Sequence, residues 1–331
     1  MQTCMQHLHM QLHIRAAMNI ELYNVTKTFG AITANDGISL EIREGEVIAL
    51  LGENGAGKST LMKVLFGIYP PDDGAILVDG RETIIDSPQK AMSLGIGMVF
   101  QQFNLIPALS VLDNLLLAYP KAPFWTFRRL FGISGNSPEQ ASTILDYLNE
   151  LAPGLDPNTL VRDLSVGQRQ LLELIKVLNL NAEVVILDEP TSVLPPQEAE
   201  RLWGMIRKLA DSGRSVVLIT HKMQDVMACA DRVVVMRAGR LVSTLARQDC
   251  TEESLVELMM GERTGRSPIQ TPPAETFRHK PASILIRNIS ARQATQAIHG
   301  IDLELRPGEI LGLAGVSGNG QHLLADALVG L

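Results

Sequence analysis

The fold class of this chain is indicated by one stretch of sequence, Val47-Ile48-Ala49-Leu50-Leu51-Gly52-Glu53-Asn54-Gly55-Ala56-Gly57-Lys58-Ser59. Its five apolar residues predict a short buried strand, and the glycine-rich segment after it fits the pattern GxxxxGK[ST] and opens a helix. In such a loop the backbone N–H groups converge on phosphate oxygens, Lys58 reaches the β- and γ-phosphates, and the Ser59 hydroxyl can bind Mg²⁺. A chance glycine turn is the alternative, but the flanking strand and helix argue against it. The stretch therefore predicts an α/β protein that binds nucleotide phosphates.

A second apolar strand, Val184–Leu187, ends abruptly in the carboxylates of Asp188 and Glu189. Buried strands tolerate charge only at their tips, and in a parallel sheet the carboxyl ends of the strands are where ligands sit. We expect Asp188 to hold Mg²⁺ through water and Glu189 to act as the general base on the attacking water. A solvated strand end is the plainer interpretation of the same pattern.

A third motif, Leu164-Ser165-Val166-Gly167-Gln168, precedes an amphipathic helix at 168–180. A serine hydroxyl, a glycine N–H and a helix N-terminus together form a second phosphate-binding tip. Taken alone, Ser165 would be an ordinary helix N-cap, Gln101 a plain loop residue and His221 a strand-end histidine. Their joint occurrence with the phosphate loop reverses those interpretations.

With Gln101 after the strand Gly97–Phe100 and His221 after the strand Val216–Thr220, the sequence resembles the ATP-binding cassette family, whose motifs occur here in the family's order. The resemblance implies an α/β P-loop NTPase fold with a largely parallel core sheet, an N-terminal antiparallel β part and a helical insertion at about 103–180. It implies that Gln101 bridges Mg²⁺ and the surface that touches the transporter. His221 would hold the water and the γ-phosphate in line.

The resemblance also implies the remaining site residues. Catalytic roles fall to Glu189, His221 and Gln101, and Mg²⁺ ligation to Ser59, Gln101 and Asp188. The residues expected to bind ATP are Phe29, Gly52, Glu53, Asn54, Gly55, Ala56, Gly57, Lys58, Ser59 and Thr60. The residues expected to contact ATP across a dimer are Ser165, Val166, Gly167 and Gln168. Either Tyr23 or Phe29 should stack on adenine, and Phe29 matches the family's position better.

An internal repeat divides the chain, because Gly37–Glu46 returns as Gly300–Glu309, 263 residues further along. The resulting segments are an extension at 1–17 that we expect to be disordered, a first cassette at 18–260, a polar, Pro-rich linker at 261–281 and a second cassette at 282–331 that stops early. A metal-binding role for His7, His9 and His13 is the alternative for the extension.

The second loop departs from the first, because Gln321 replaces the lysine and His322 replaces the Mg²⁺ ligand. These changes remove a positive charge and a hard oxygen ligand, so the second site should be catalytically weak. Two departures concern the first cassette. Val166 stands where the family usually has glycine, so the backbone there cannot need a glycine-only conformation. Pro195 replaces an aspartate that would communicate across the dimer.

Composition excludes several function classes. The 331 residues carry a net charge of −7 with 4% aromatic residues, which argues against a dedicated nucleic-acid binder. Three cysteines without CxxC spacing argue against a disulfide scaffold and against structural zinc. The apolar runs are strand-sized, well short of the ~20 residues that a spanning helix needs.

Tandem cassettes with an altered second lysine resemble the ATPase subunits of bacterial simple-sugar and nucleoside importers. The resemblance implies a peripheral subunit on the cytoplasmic face of the inner membrane that uses Mg-ATP to drive uptake through separate permease subunits. A second copy or a missing C-terminal half would complete its site, a substrate-binding protein would be an indirect partner, and no nucleic acid is expected. The alternatives are a soluble cassette ATPase acting on nucleic acid or ribosomes, and a non-catalytic ATP-binding fragment.

Overall fold

The chain divides into two compact units, 1–262 and 263–331. The computed structural model describes residues 18–117, 145, 148, 152–261, 281–293, 296–315 and 319–330. The predictions for the extension at 1–17 and for most of the linker lie outside these residues. Within the helical insertion predicted at about 103–180, only Leu145 and Leu148 are described between 117 and 152, and both are helical.

A six-stranded sheet forms the centre of the first unit, in the order β10-β9-β3-β8-β7-β6. Its strands are β3 (Val47–Leu51), β6 (Ile96–Val99), β7 (Val184–Asp188), β8 (Ser215–Thr220), β9 (Arg232–Arg237) and β10 (Arg240–Ala246). All neighbouring pairs are parallel except β9 and β10. The predicted strands begin and end within one residue of these bounds. Because the strands are parallel, the segments that follow β3, β6, β7 and β8 emerge at one edge of the sheet.

A second, antiparallel sheet has the order β2-β1-β4-β5. Its strands are β1 (Ile20–Phe29), β2 (Ile32–Ile42), β4 (Asp73–Val78) and β5 (Arg81–Glu82). The inward side chains of β1 alternate with exposed ones, as expected for a sheet with one solvated face. This sheet is the antiparallel β part that the sequence predicted.

The described helices of the first unit lie mostly between the parallel strands. They are α1 (Lys58–Leu65), α2 (Pro88–Ser93), α3 (Val111–Leu117), α4 (Val166–Leu178), α5 (Pro196–Asp211), α6 (Met223–Cys229) and α7 (Glu252–Met260). Helix α4 was predicted at 168–180, and its observed ends lie within two residues of those bounds. Helices α3 and α4 share a small apolar core of their own around Val111, Leu115, Leu164 and Leu172. In the part of the chain that the structure describes, no helix is both long and apolar enough to cross a bilayer.

The second unit consists of a hairpin and a helix within the described residues. Strands β11 (Ile284–Gln293) and β12 (Gln296–Leu305) pair antiparallel, and α8 (Gln321–Val329) follows the second glycine loop. Leu323 and Leu324 of α8 pack with Ile298 of β12.

Candidate nucleotide-binding site

The phosphate loop is held between the two sheets of the first unit. A side chain at Gly52 would collide with the Met236 carbonyl of β9, and one at Gly57 would collide with the Ala34 carbonyl of β2. Gly57 also has φ 96°, in the left-handed region that favours glycine. The amide of Asn35 donates to the Gly57 carbonyl at 3.1 Å. The loop therefore takes its shape from backbone on both sides.

Lys58 lies inside this loop with only 5% of its surface exposed. Its Nζ donates to the carbonyls of Gly52 at 2.7 Å and Glu53 at 2.9 Å. Burial lowers the pKa of Lys58, while the charges of Glu189 and Asp188 oppose that shift. A desolvated ammonium held by the loop carbonyls is suited to a polyanion, because charge-assisted bonds are strongest away from water.

Asp188 meets the phosphate loop at the end of β7. The Ser59 hydroxyl donates to Asp188 Oδ1 at 2.9 Å, and Asp188 is 4% exposed. Burial raises the pKa of Asp188, against the opposing effects of the Ser59 hydrogen bond and the Lys63 charge. A hydroxyl and a carboxylate oxygen side by side are the hard donors that Mg²⁺ prefers. The two residues predicted to hold the metal with Gln101 are thus in contact with each other.

Glu189 lies between the other two predicted catalytic side chains. Gln101 Nε2 donates to Glu189 Oε2 at 3.1 Å, and His221 Nδ1 lies 3.0 Å from Glu189 Oε1. Gln101 follows β6, Glu189 follows β7 and His221 follows β8, so the adjacent parallel strands bring them together. All three were predicted from the sequence as one group.

The backbone of Glu189 carries strain that the sequence did not reveal. Its φ is +49°, a left-handed conformation that costs a non-glycine residue about 1–3 kcal/mol. The Glu189 N–H donates to the Ile219 carbonyl of β8 at 2.9 Å, which fixes this conformation against the neighbouring strand. Strained non-glycine residues cluster at functional sites, which agrees with a catalytic position for this carboxylate.

The sequence and the fold of this chain are similar to those of known proteins. Residues 35–192 match the model of the ABC transporter family. The nucleoside import ATP-binding protein NupA of Lactococcus lactis subsp. cremoris is 40% identical over 312 residues, which make up 94% of this chain and 60% of that protein. The ribose import ATP-binding protein RbsA 1 of Burkholderia thailandensis is also 40% identical, over 94% of this chain and 59% of that protein. The chain thus spans about 60% of the length of these curated relatives.

A solved structure of the ADP conformation of MJ1267, an ATP-binding cassette of an ABC transporter, matches with a TM-score of 0.65. It is 25% identical and the match covers 74% of this chain and 99% of that one. Residues 35–192 of this chain form an ABC transporter domain. Its α/β P-loop NTPase fold is the one that the sequence predicted.

The signature segment of the cassette, Leu164–Gln168, begins helix α4. Ser165 is the N-cap, its Oγ accepts from the Gln168 N–H at 3.2 Å, and Gln168 Oε1 accepts from the Ser165 N–H at 2.9 Å. The ordinary N-cap role is therefore real, yet an accepting hydroxyl still has its own proton to donate to a phosphate. The described side-chain hydrogen bonds of Ser165 and Gln168 lie within this segment and not in the cluster around Glu189.

The next two residues of the signature show what its backbone requires. Val166 is the first residue of α4 and has no positive φ, so its backbone does not need a glycine, as predicted. A side chain at Gly167 would have to displace the flexible carboxylate of Glu198, in the first turn of α5. This contact between α4 and α5 of the same cassette was not foreseen, because no motif links the two residues.

Of the two candidates for the adenine platform, Phe29 is placed closer to the phosphate loop. It pairs with Ile32 across the turn of the β1–β2 hairpin, two residues from Ala34, which contacts the loop at Gly57. Its ring is 42% exposed and packs edge-on against Tyr69 at 5.1 Å. Tyr23 is 61% exposed but lies nearer the beginning of β1, where it pairs with Ala75 of β4.

Asp72 fixes the backbone just before Phe29. Its carboxylate accepts from Lys27 Nζ at 2.7 Å and from both the N–H and the hydroxyl of Thr28 at 2.6 Å. These bonds, that from Lys27 first, lower the pKa of Asp72 to about 2. The strand end that carries the exposed ring is thereby pinned at neutral pH.

Proposed function

We propose that this cassette binds Mg-ATP and hydrolyses it, and that hydrolysis powers the uptake of a small solute through separate permease subunits. The observation that carries the proposal is the position of Glu189 between Gln101 and His221, beside the loop that buries Lys58. These are the parts that phosphoryl transfer to water needs: a base, groups that orient the water, and a cation on the phosphates.

The chain's own residues divide this work. Lys58 and the loop N–H groups bind the β- and γ-phosphates, while the Glu189 carboxylate takes the proton from the attacking water. His221 is oriented through Nδ1 by Glu189, and in its protonated state its second nitrogen can donate to the γ-phosphate. Gln101 holds the other oxygen of Glu189, so the base is held from two sides.

The donor set fits Mg²⁺. Ser59 and Asp188 offer a hydroxyl and a carboxylate oxygen, and Gln101 could add an amide oxygen. No group of three or more His, Cys, Asp or Glu residues able to bind a metal occurs among the described residues, which suits an ion that shares its coordination with phosphate oxygens and water. When bound, the ion would neutralise charge on the β- and γ-phosphates.

Exchange of Glu189 for glutamine tests the assigned base. We expect Glu189→Gln to lower kcat by at least about 100-fold, because general bases contribute roughly 10²–10⁴-fold. Nucleotide affinity should stay within about threefold, since the phosphate loop is unchanged. Glu257→Gln, the same exchange at an exposed position of α7, is the matched control. Equal turnover by Glu189→Gln and the unchanged chain would refute the role of Glu189.

The signature segment should complete the site of a second cassette. An N-cap hydroxyl at a helix N-terminus suits a γ-phosphate, and Ser165 lies outside the cluster that it would serve. The variant Lys58→Gln changes the phosphate loop and retains an intact signature segment. The variant Ser165→Asn retains an intact phosphate loop and replaces the N-cap serine with another good N-cap residue. If two copies assemble head to tail, each variant alone is inactive and their mixture regains activity. Nucleotide binding with no turnover by the unchanged chain at any concentration would instead favour a non-catalytic fragment.

A groove beside Gln101 is the proposed docking surface for the permease. It has a volume of about 380 Å³, and its apolar lining includes Phe66, Met92, Phe100, Ile106 and Val177. Ile106 is 47% exposed and lines this groove, so a partner can reach it. Because Phe100 directly precedes Gln101, a segment seated here could move the residue that holds Glu189.

Membrane recruitment tests this surface. When the chain is coexpressed with the permease subunits of its transport system, it should bind the cytoplasmic face of the membrane and sediment with the membrane fraction. Ile106→Glu should stay in the supernatant with its ATP affinity unchanged. Sedimentation of the variant at the level of the unchanged chain would place the permease elsewhere.

The solute is proposed from the relatives alone, whose names specify nucleoside, ribose or glucose import. A nucleoside or a simple sugar is therefore the expected cargo, delivered by a separate substrate-binding protein. Uptake of labelled nucleosides and sugars by cells that carry the complete system, with and without Glu189→Gln, would identify it.

A further inference from the structure

Asp225, in the short helix α6, is a buried carboxylate that no sequence motif singled out. It is 1% exposed and accepts hydrogen bonds from three side chains. The Thr220 hydroxyl lies 2.6 Å from Oδ2, the Thr191 hydroxyl 2.7 Å from the same oxygen, and Trp203 Nε1 3.0 Å from Oδ1. These neutral donors replace the water that the carboxylate loses on burial.

The two threonines flank the pair formed by Glu189 and His221. Thr191 lies two residues after Glu189, and Thr220 directly precedes His221. Lys222 strengthens the link, because its Nζ donates to the Thr191 carbonyl at 2.6 Å and its N–H to the Thr220 hydroxyl at 3.0 Å. The segments that carry the base and the histidine are therefore tied together behind the site.

The same network reaches the segment that leads into α5. Leu194 N–H donates to the Thr191 carbonyl at 3.2 Å, and α5 carries Trp203. This segment contains Pro195, directly before the first residue of α5. A change at Thr191 would thus be felt both at Glu189 and at the start of α5.

We propose that Asp225 is a positioning residue that sets the distance between Glu189 and His221 by holding Thr191 and Thr220 together. The proposal rests on the proposed function, in which Glu189 and His221 act on ATP. Burial of a carboxylate costs free energy that an apolar side chain would not cost, and the three donors offset this cost.

Hydroxyl removal at the two threonines tests the proposal without emptying the core. Thr191→Val and Thr220→Val keep the side-chain shape and lose the donor, whereas Thr191→Ser and Thr220→Ser keep the donor. We expect each valine variant to lower kcat roughly 10–100-fold, because small misplacements of catalytic groups have effects of that size. KM and the affinity for ATP should change less than about twofold, and the serine variants should recover most of the loss. The double valine variant should lose little more than the worse single variant, since both act through one carboxylate.

Ser215→Ala is the matched control, because Ser215 is a buried hydroxyl at the other end of β8 and donates to the Arg43 carbonyl at 2.8 Å. It should alter thermal stability but not kcat. An equal fall in kcat for Ser215→Ala, a parallel loss of ATP affinity in the valine variants, or no rescue by serine would each show a merely structural role and overturn the proposal.

The indole of Trp203 offers a readout that does not need turnover. The chain has two tryptophans, so Trp125→Phe assigns the Trp203 indole N–H resonance in an NMR spectrum. We expect Mg-ATP to shift this resonance in the unchanged chain and in Ser215→Ala, and to leave it unmoved in Thr191→Val. A nucleotide-dependent shift without ATP hydrolysis would contradict the proposed function but keep the link through Asp225. No shift in a chain that hydrolyses ATP would overturn the link itself.

Discussion

The two glycine loops of this chain share a sequence pattern but differ in their surroundings. The first follows β3, whose five residues are fully buried in the sheet, and Gly57 begins α1 with φ 96°. The second begins α8 in the same way, with Gly320 at φ 87°. However, the residues before it are not paired as a strand, and Ile310 is 97% exposed. The glycine turn and the helix start are local properties, whereas the strand behind the loop depends on the rest of the sheet.

The side chains at equivalent positions reach toward equivalent backbone. Lys58 bonds the carbonyl of Gly52, and the amide of Gln321 lies against Gly315, which stands at the same place in its own loop. The positions are alike, but an uncharged amide replaces the ammonium and His322 replaces Ser59. A repeat in sequence thus preserves the glycine conformation at the helix start more readily than it preserves the chemistry of the loop. The low activity expected of the second loop stays a prediction, since 316–318 lie outside the described residues.

The largest effect is expected when the first loop is given the residue of the second. Lys58→Gln should weaken ATP binding by about 100-fold or more, because it removes a desolvated positive charge from the β- and γ-phosphates. Titration with a fluorescent ATP analogue at fixed ionic strength would measure it. Gln321→Ala is the matched control and should leave the main affinity within twofold. A comparable loss in both variants would mean that the two loops bind nucleotide alike.

The sequence predicted the parts of the site that depend on motifs at strand ends. The pattern around Lys58, the carboxylates after β7 and the polar residues after β6 and β8 are all brought to one edge by the parallel sheet. The left-handed backbone of Glu189 and the buried Asp225 could not be predicted in this way, because they depend on contacts between segments far apart in the chain. The contact between Gly167 and Glu198 could not be predicted for the same reason, since Glu198 belongs to a different helix.

A moderate effect is expected at the adenine platform, which the first loop gains from the β1–β2 hairpin. Phe29→Ala should lower ATP affinity by about 5–150-fold, because stacking of a base on an aromatic ring contributes roughly 1–3 kcal/mol. Tyr23→Ala, which removes a more exposed ring from the same strand, should change affinity less than twofold. Inorganic pyrophosphate, which has no base, should bind both variants equally. If Tyr23→Ala lowered ATP affinity more than Phe29→Ala, the adenine platform would lie at Tyr23, nearer the beginning of β1.

The smallest effect concerns the stability of the first loop without ligand. Burial raises the pKa of Asp188 above its ordinary value of 3.8, so the folded chain binds this proton more tightly than the unfolded chain does. The contribution of Asp188 to stability is therefore greatest below pH 3.8 and is lost as the pH rises through the folded pKa, which leaves a destabilising buried charge at neutral pH. Asp188→Asn keeps an acceptor for the Ser59 hydroxyl without that charge. It should raise the apo unfolding midpoint at pH 7 by roughly 2–4 °C while weakening Mg²⁺-dependent ATP binding. Asp211→Asn, an exposed position in α5, should do neither. If Asp188→Asn were less stable than the unchanged chain at pH 7, the carboxylate would stabilise the loop without ligand. The difference in charge between the two glycine loops would then depend on Lys58 alone.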